Sequence, residues 1–281
     1  MPALRIVALT AGTLVCFAAN SLLCRAALGP RLVDPATFTS LRLASGAAAM
    51  ALLVALARRT RPSGGTPGSA LALFLYAAAF SLAYVRIGAG VGALLLFAAV
   101  QVTMVGWTAA RGARPSALQF AGVALALAGL AWLVLPGAAA PDPGGAALML
   151  AAGVAWGVYS LRGRGAAGRD PIAVTASNFL LSVPLTAAFS VALARQASAT
   201  PAGIALAVAS GALASGGGYS LWYAVVPALG ATRAAAVQLA VPVLAGLGAT
   251  AFLGERLTAR IAIAAAAILA GIALTLRRPS R

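Results

Sequence analysis

The feature that most constrains this chain is a series of long apolar runs separated by short, turn-rich breaks. Ten runs stand out, at 4–24, 36–57, 69–86, 89–110, 116–135, 145–162, 172–194, 202–226, 231–253 and 258–276. Each is near the roughly 20 residues that an α-helix needs to cross a bilayer. The breaks hold Pro and Gly: Pro62, Gly64, Gly65 and Pro67 after Arg58; Gly112 to Pro115; Pro136 to Gly145; Gly163 to Pro171; and Pro227 to Gly230. Hydrophobic residues make up 62% of the 281 and charged residues 9%. That is too little polar surface to coat a water-soluble core. The expected fold class is an all-α integral membrane protein with ten transmembrane helices. The first run begins after Arg5 and is longer than a signal-peptide core, so an uncleaved first helix is expected.

Composition excludes several chemistries. There is no His and there are only four carboxylates, so neither a metal cage nor a Ser-His-Asp site can be assembled, and no cofactor is expected. No GxxxxGK[ST] phosphate loop is present. The net charge is +16, but the arginines occur singly or in twos and threes between apolar runs. That is the pattern of membrane topology rather than of nucleic-acid binding. With the N-terminus inside, the inner segments carry 13 arginines: Arg5, Arg58, Arg59, Arg61, Arg111, Arg114, Arg162, Arg164, Arg169, Arg233, Arg277, Arg278 and Arg281. The outer segments carry 6: Arg25, Arg31, Arg86, Arg195, Arg256 and Arg260. The bias predicts cytoplasmic termini.

The chain also repeats itself. Residues 87–135 align without a gap to 229–277, matching Gly88 to Gly230, Gly106 to Gly248, Gly112 to Gly254, Arg114 to Arg256 and Gly129 to Gly271. Ser21-Leu22 with Arg25 matches Ser160-Leu161 with Arg164, and Asp34-Pro35 matches Asp170-Pro171. Each copy holds five runs, an odd number, so the second copy enters the membrane upside down. The expected organisation is a first five-helix repeat at 1–136, a linker at 137–144 and a second repeat at 145–281. Inverted repeats around a midplane site are a transporter architecture.

The stretch Leu229-Gly230-Ala231-Thr232-Arg233-Ala234, followed by Pro242 and then Leu253-Gly254-Glu255-Arg256-Leu257, resembles the signature of the EamA family of the drug/metabolite transporter superfamily. Asp34-Pro35 with Phe38 to Arg42 is similar to the family's start of helix two. The first copy departs from the signature at Val100 and Ala113, which replace the Pro and the Glu. The resemblance implies a bacterial inner-membrane exporter of amino acids, with aromatic amino-acid exporters as the nearest analogue. Its partners would be a small-molecule substrate and membrane lipid, and the protein a monomer or homodimer. The alternative is another metabolite or a drug in the same fold.

Candidate cargo-binding residues are aromatic or uncharged polar side chains within spans: Asn20, Tyr76, Phe80, Tyr84, Gln101, Trp156, Tyr159, Tyr219, Trp222 and Gln238. Tyr76, Phe80 and Tyr84 recur every four residues on one helix face. The repeat sets Phe17 against Trp156, Asn20 against Tyr159 and Phe80 against Trp222. Amides in a span avoid lipid, so they bind cargo or join helices. Trp107 and Trp132 are expected to face lipid. Arg42 lies within the second run, where it could be an internal cation for a substrate carboxylate; it is expected instead to snorkel to the headgroups or make a structural contact. Glu255 is expected to pair with Arg256 or Arg260, or to cap the last helix with Thr258. Gly216, Gly217 and Gly218, with Pro242, are candidate hinges, and Pro184 interrupts the seventh run. No run carries a central Asp or Glu. A neutral or zwitterionic cargo therefore suits the chain better than a lipophilic cation exchanged through a carboxylate.

Overall fold

The computed structural model describes residues 2–58, 61–112, 116–135, 137, 140–164 and 168–276. Arg59, Arg114, Arg277, Arg278 and Arg281 of the charge pattern, and Ala113, Pro115 and Pro136, lie outside the described residues.

The described chain is almost wholly helical: α1 (Ala3–Leu28), α2 (Pro35–Arg58), α3 (Pro67–Tyr84), α4 (Ala89–Ala110), α5 (Ala117–Val134), α6 (Pro143–Arg164), α7 (Pro171–Ala192), α8 (Pro201–Val208), a π-helical segment (Ala209–Gly217), α9 (Gly218–Gln238), α10 (Ala240–Leu253) and α11 (Ala259–Leu276). Among the described residues, nine helical stretches are long and apolar enough to cross a membrane, and α10 is a shorter apolar helix. Large apolar side chains such as Phe120, Val191 and Phe252 stand exposed on the outside, as they would against lipid.

Helix starts follow one local rule. Five helices begin with an oxygen-bearing cap followed by Pro: Asp34-Pro35, Thr66-Pro67, Asp142-Pro143, Asp170-Pro171 and Thr200-Pro201. The cap accepts a free first-turn N–H, and Pro has no N–H to leave unpaired. Asp34 accepts from the amides of Ala36 and Thr37 at 3.0 Å, Asp142 from Gly145 at 2.6 Å, and Asp170 from Ile172 at 3.0 Å. Asp34 also accepts from the amide of Ser198 at 3.0 Å, which ties the loop before α8 to the start of α2. Burial raises the Asp34 carboxyl, but these donors and the Thr37 hydroxyl outweigh it and hold it below the usual carboxylate range. Three of the four acids are thus helix caps.

The bundle has two ends. We call the end where α1 begins the base and the opposite end the top. α5 packs on α11, α3 and α4 on α6, α2 on α7 and on the π segment, and α1 on α9 and α10. Small residues set the closest approaches. A Cβ on Gly122 would lie 2.5 Å from the carbonyl oxygen of Gly271, and one on Gly271 the same distance from that of Gly122, so α5 and α11 touch backbone to backbone.

Three expected breaks fall differently. Residues Gly218–Gln238 are all helical, Pro227 among them, where a loop was expected. Yet Gly12 and Gly218 show α1 antiparallel to the start of α9, through contacts with Leu221 and with Cys16 and Phe17, and Gly248 contacts Leu22 further along α1. The chain has therefore reversed between Leu221 and α10, and the reversal lies inside the 218–238 stretch. Pro242 does not interrupt a helix. It sits in the first turn of α10, where its missing N–H would be free anyway. Pro184 lies inside a continuous α7.

Candidate functional site

Within the bundle, aromatic side chains from four helices form one connected stack. Trp156 of α6 lies with its ring centroid 4.8 Å from Tyr76 of α3, 5.3 Å from Tyr159 and 5.8 Å from Tyr219 of α9. Tyr219 continues to Phe17 of α1 at 5.8 Å and to Tyr223 at 6.2 Å. Phe80 joins through Tyr76 at 5.3 Å. These contacts fall in the range of favourable aromatic pairs. The rings surround a cavity of about 50 Å³ lined also by Asn20, Ser21, Ser215 and Gln238. That is small beside ligand pockets of about 300–1,000 Å³.

Polar groups in the chamber are placed rather than scattered. The Asn20 amide donates to the Tyr76 hydroxyl at 3.5 Å and accepts from the Ser210 hydroxyl at 2.6 Å. Ser210 sits on the π segment, whose wider turn carries the chain past α1 and α2. Gly211 meets the Arg42 carbonyl and Ser45 of α2 so closely that a Cβ has no room. Tyr159 accepts from Asn178 at 3.5 Å, and Tyr223 shares a hydrogen bond of 3.0 Å with Thr175.

Arg42 meets one half of the sequence expectation, a structural contact, and not the other. It does not snorkel; it is 3% exposed. It lies about 10 Å from the start of α2, on the side that faces α3 and the π segment, so its side chain turns inward. Its guanidinium lies over the rings of Tyr76 and Phe80, at 5.2 and 4.9 Å from their centroids, and Nη2 donates to the Tyr76 hydroxyl at 2.9 Å. Nε and Nη1 have no hydrogen-bond partner among the described residues. A lone cation within a span was visible in the sequence.

Glu255 is the second correction. It pairs with Arg25 of α1, not with Arg256 or Arg260, at 3.3 Å, and it accepts from the amide of Ala89 at 2.9 Å. Arg25 also donates to the Tyr84 carbonyl at 2.8 Å. Gly254 has φ +66° and ends α10 with a left-handed turn, which aims Glu255 across the top. Gly88 leaves room for the carboxylate, since a Cβ there would meet it at 2.5 Å. One ion pair thus fastens α1, α3, α4 and α10 at the top. Thr258 does cap α11, accepting from Ile261 at 3.3 Å.

Of the ten sequence candidates, Asn20, Tyr76, Phe80, Trp156, Tyr219 and Gln238 line the chamber. Tyr159 backs Trp156. Trp222 packs on Phe17 at 5.9 Å, outside the lining. Tyr84 is fully buried beneath Phe80, with centroids 4.6 Å apart. Gln101 turns away and donates to Thr275 of α11. Trp107 and Trp132 are half-exposed, each beneath an arginine, Arg111 and Arg260 respectively. Among the candidate hinges, Gly218 packs on Cys16 and Phe17, Gly216 lies near Ala49, and Gly217 has open space. A second, larger cavity of about 160 Å³ lies between α4, α10 and α11, lined mainly by apolar groups such as Leu94, Pro242, Leu247 and Ile261. Thr250, Glu255 and Arg256 also line it.

Fold and site together define a multi-pass α-helical membrane transporter. The profile of the EamA-like transporter family matches residues 143–277. An uncharacterized Pseudomonas aeruginosa protein, PA1977, is 52% identical over 278 residues, covering 98% of this chain and 96% of that one. The threonine/homoserine exporter RhtA of Salmonella typhimurium is 34% identical over 171 residues, 57% of this chain and 56% of its own length. RhtA of Escherichia coli K12 is 32% identical over 174 residues, 58% of this chain and 57% of its own. The chain therefore spans little more than half the length of these exporters in the matched region. One solved crystal structure superposes with a TM-score of 0.66 at 22% identity, covering 94% of this chain and 97% of that one; it speaks for the fold alone. The chain belongs to the EamA-like transporter family, within the drug/metabolite transporter superfamily.

Proposed function

We propose that this protein exports neutral amino acids across the bacterial inner membrane by alternating access, with the aromatic chamber as its cargo site and both termini in the cytoplasm. The observation that carries the reading is the chamber itself. Its walls come from α1 and α3 on one side of the sequence and α6 and α9 on the other, and they combine aromatic faces with the uncharged donors and acceptors of Asn20, Ser215 and Gln238. The partial similarity to RhtA, a threonine/homoserine exporter, supports small neutral amino acids as cargo; the aromatic lining supports larger ones as well. The two five-helix halves at 1–136 and 145–281 are inverted copies in this reading. The packing supports it: exchanging α1 with α6, α2 with α7, α3 with α8–α9, α4 with α10 and α5 with α11 maps the main helix contacts onto one another. The Arg25–Glu255 pair closes the top, and export requires it to part.

The test is export from cells. Overexpression should raise threonine, homoserine or tryptophan in the medium and increase tolerance of toxic analogues of the exported amino acid. Equal sensitivity and equal efflux with and without the protein, at verified expression, would remove the amino-acid reading.

A further inference from the structure

We propose that Arg42 anchors a carboxylate on the cargo, and that the Tyr76 hydroxyl is the acceptor this carboxylate displaces. The inference rests on the chamber being the cargo site. Arg42 is nearly fully buried, and Nε and Nη1, which carry three of the guanidinium's five N–H donors, have no partner among the described residues. No carboxylate among the described residues reaches it. Asp34, Asp142 and Asp170 cap helices at the ends of the bundle, and Glu255 is held by Arg25. A buried cation without an anion is costly, and its energy falls sharply when an anion arrives. The site is built around it: two rings lie under the guanidinium, and both rings, Tyr76 and Phe80, also wall the cavity. Rotation of Tyr76 therefore brings the free donors and the chamber together. The Tyr76 hydroxyl is itself held loosely from its other side, by Asn20 at 3.5 Å. Guanidinium and carboxylate are matched in shape and charge, so the cargo class is a small carboxylate. An amino group on it would sit against the faces of Trp156 and Tyr219, which attract cations.

Binding to the purified full-length protein, followed by isothermal titration, tests this. The probes are threonine, homoserine, tryptophan, threoninamide, which lacks the carboxylate, and 3-hydroxybutyrate, which lacks the amine. The wild type should prefer threonine to threoninamide by about ten- to a hundredfold, the value of a buried charge-assisted hydrogen bond. Arg42→Gln should erase that preference, and Arg42→Lys should restore part of it. Tyr76→Phe should keep it. Equal binding of threonine and threoninamide by the wild type overturns the proposal without any variant and leaves the amino-acid reading standing. A preference that survives in Arg42→Gln overturns it too. Should Arg42→Gln not fold, the wild-type comparison and Arg42→Lys decide. Binding of 3-hydroxybutyrate but of none of the amino acids keeps the Arg42 anchor and removes the amino-acid reading. Binding by no carboxylate overturns both.

Discussion

Two arginines lie within about three turns of the top, and their surroundings are opposite. Arg25 has a carboxylate at 3.3 Å and a carbonyl at 2.8 Å, and its side chain keeps about a quarter of its surface accessible. Arg42 is sealed in, with one hydroxyl, two aromatic faces and unpartnered donors. The first arrangement is what a fastening needs: opposite charges, extra hydrogen bonds, little desolvation. The second is poor as a fastening, because aromatic faces and one hydroxyl do not replace the water a guanidinium loses. The difference teaches that buried charge in this chain has two uses, and that the four acids were spent on ends and caps while the chamber's cation was left open.

Stability measurements separate the two most strongly. Arg25→Met leaves Glu255 without its partner and should lower unfolding stability by about 1–3 kcal/mol. Arg42→Met removes a buried unpaired cation and replaces it with a flexible apolar chain, so it should be at least as stable as the wild type, while losing transport. Thermal unfolding in detergent checks both, and an Arg42→Met protein that melts well below Arg25→Met breaks the contrast. Next in size is Glu255→Gln. The amide can still accept from Ala89, so the loss should be about 1 kcal/mol, and high salt should narrow the gap because the pair is partly exposed. Gly217→Ala has free space for its methyl group. It should melt close to the wild type, so any fall in transport rate would report the hinge rather than packing. The smallest effect is expected for Gln101→Leu. It breaks one bond between α4 and α11, worth roughly 0.6 kcal/mol, and transport should continue.

The ten runs were legible because hydrophobic length is a one-dimensional signal; the five helices that start at a cap-Pro pair begin one or two residues before the runs do. The chamber was half legible. Tyr76, Phe80, Trp156 and Tyr219 were found because helical spacing and the repeat placed aromatics on matching faces. Tyr84 and Gln101 were misjudged because spacing gives a face but not which neighbour covers it: α4 closes over Tyr84 through Gly92, and α11 meets Gln101. Arg25 and Glu255 are 230 positions apart, and no local pattern joins them. The reversal within 218–238 shows the same limit from the other side. A Pro and a Gly marked a break in the right region, but they did not show that the residues on both sides of the reversal stay helical.

The proposed function routes cargo through the chamber around Trp156. Uptake of labelled threonine and tryptophan into proteoliposomes, comparing Trp156→Ala with Trp107→Ala, tests it most directly. Trp156→Ala should abolish uptake of whichever amino acid the wild type carries, and Trp107→Ala, at a half-exposed position on α4, should transport as the wild type does. Undiminished uptake by Trp156→Ala, in protein that reconstitutes normally, would contradict it.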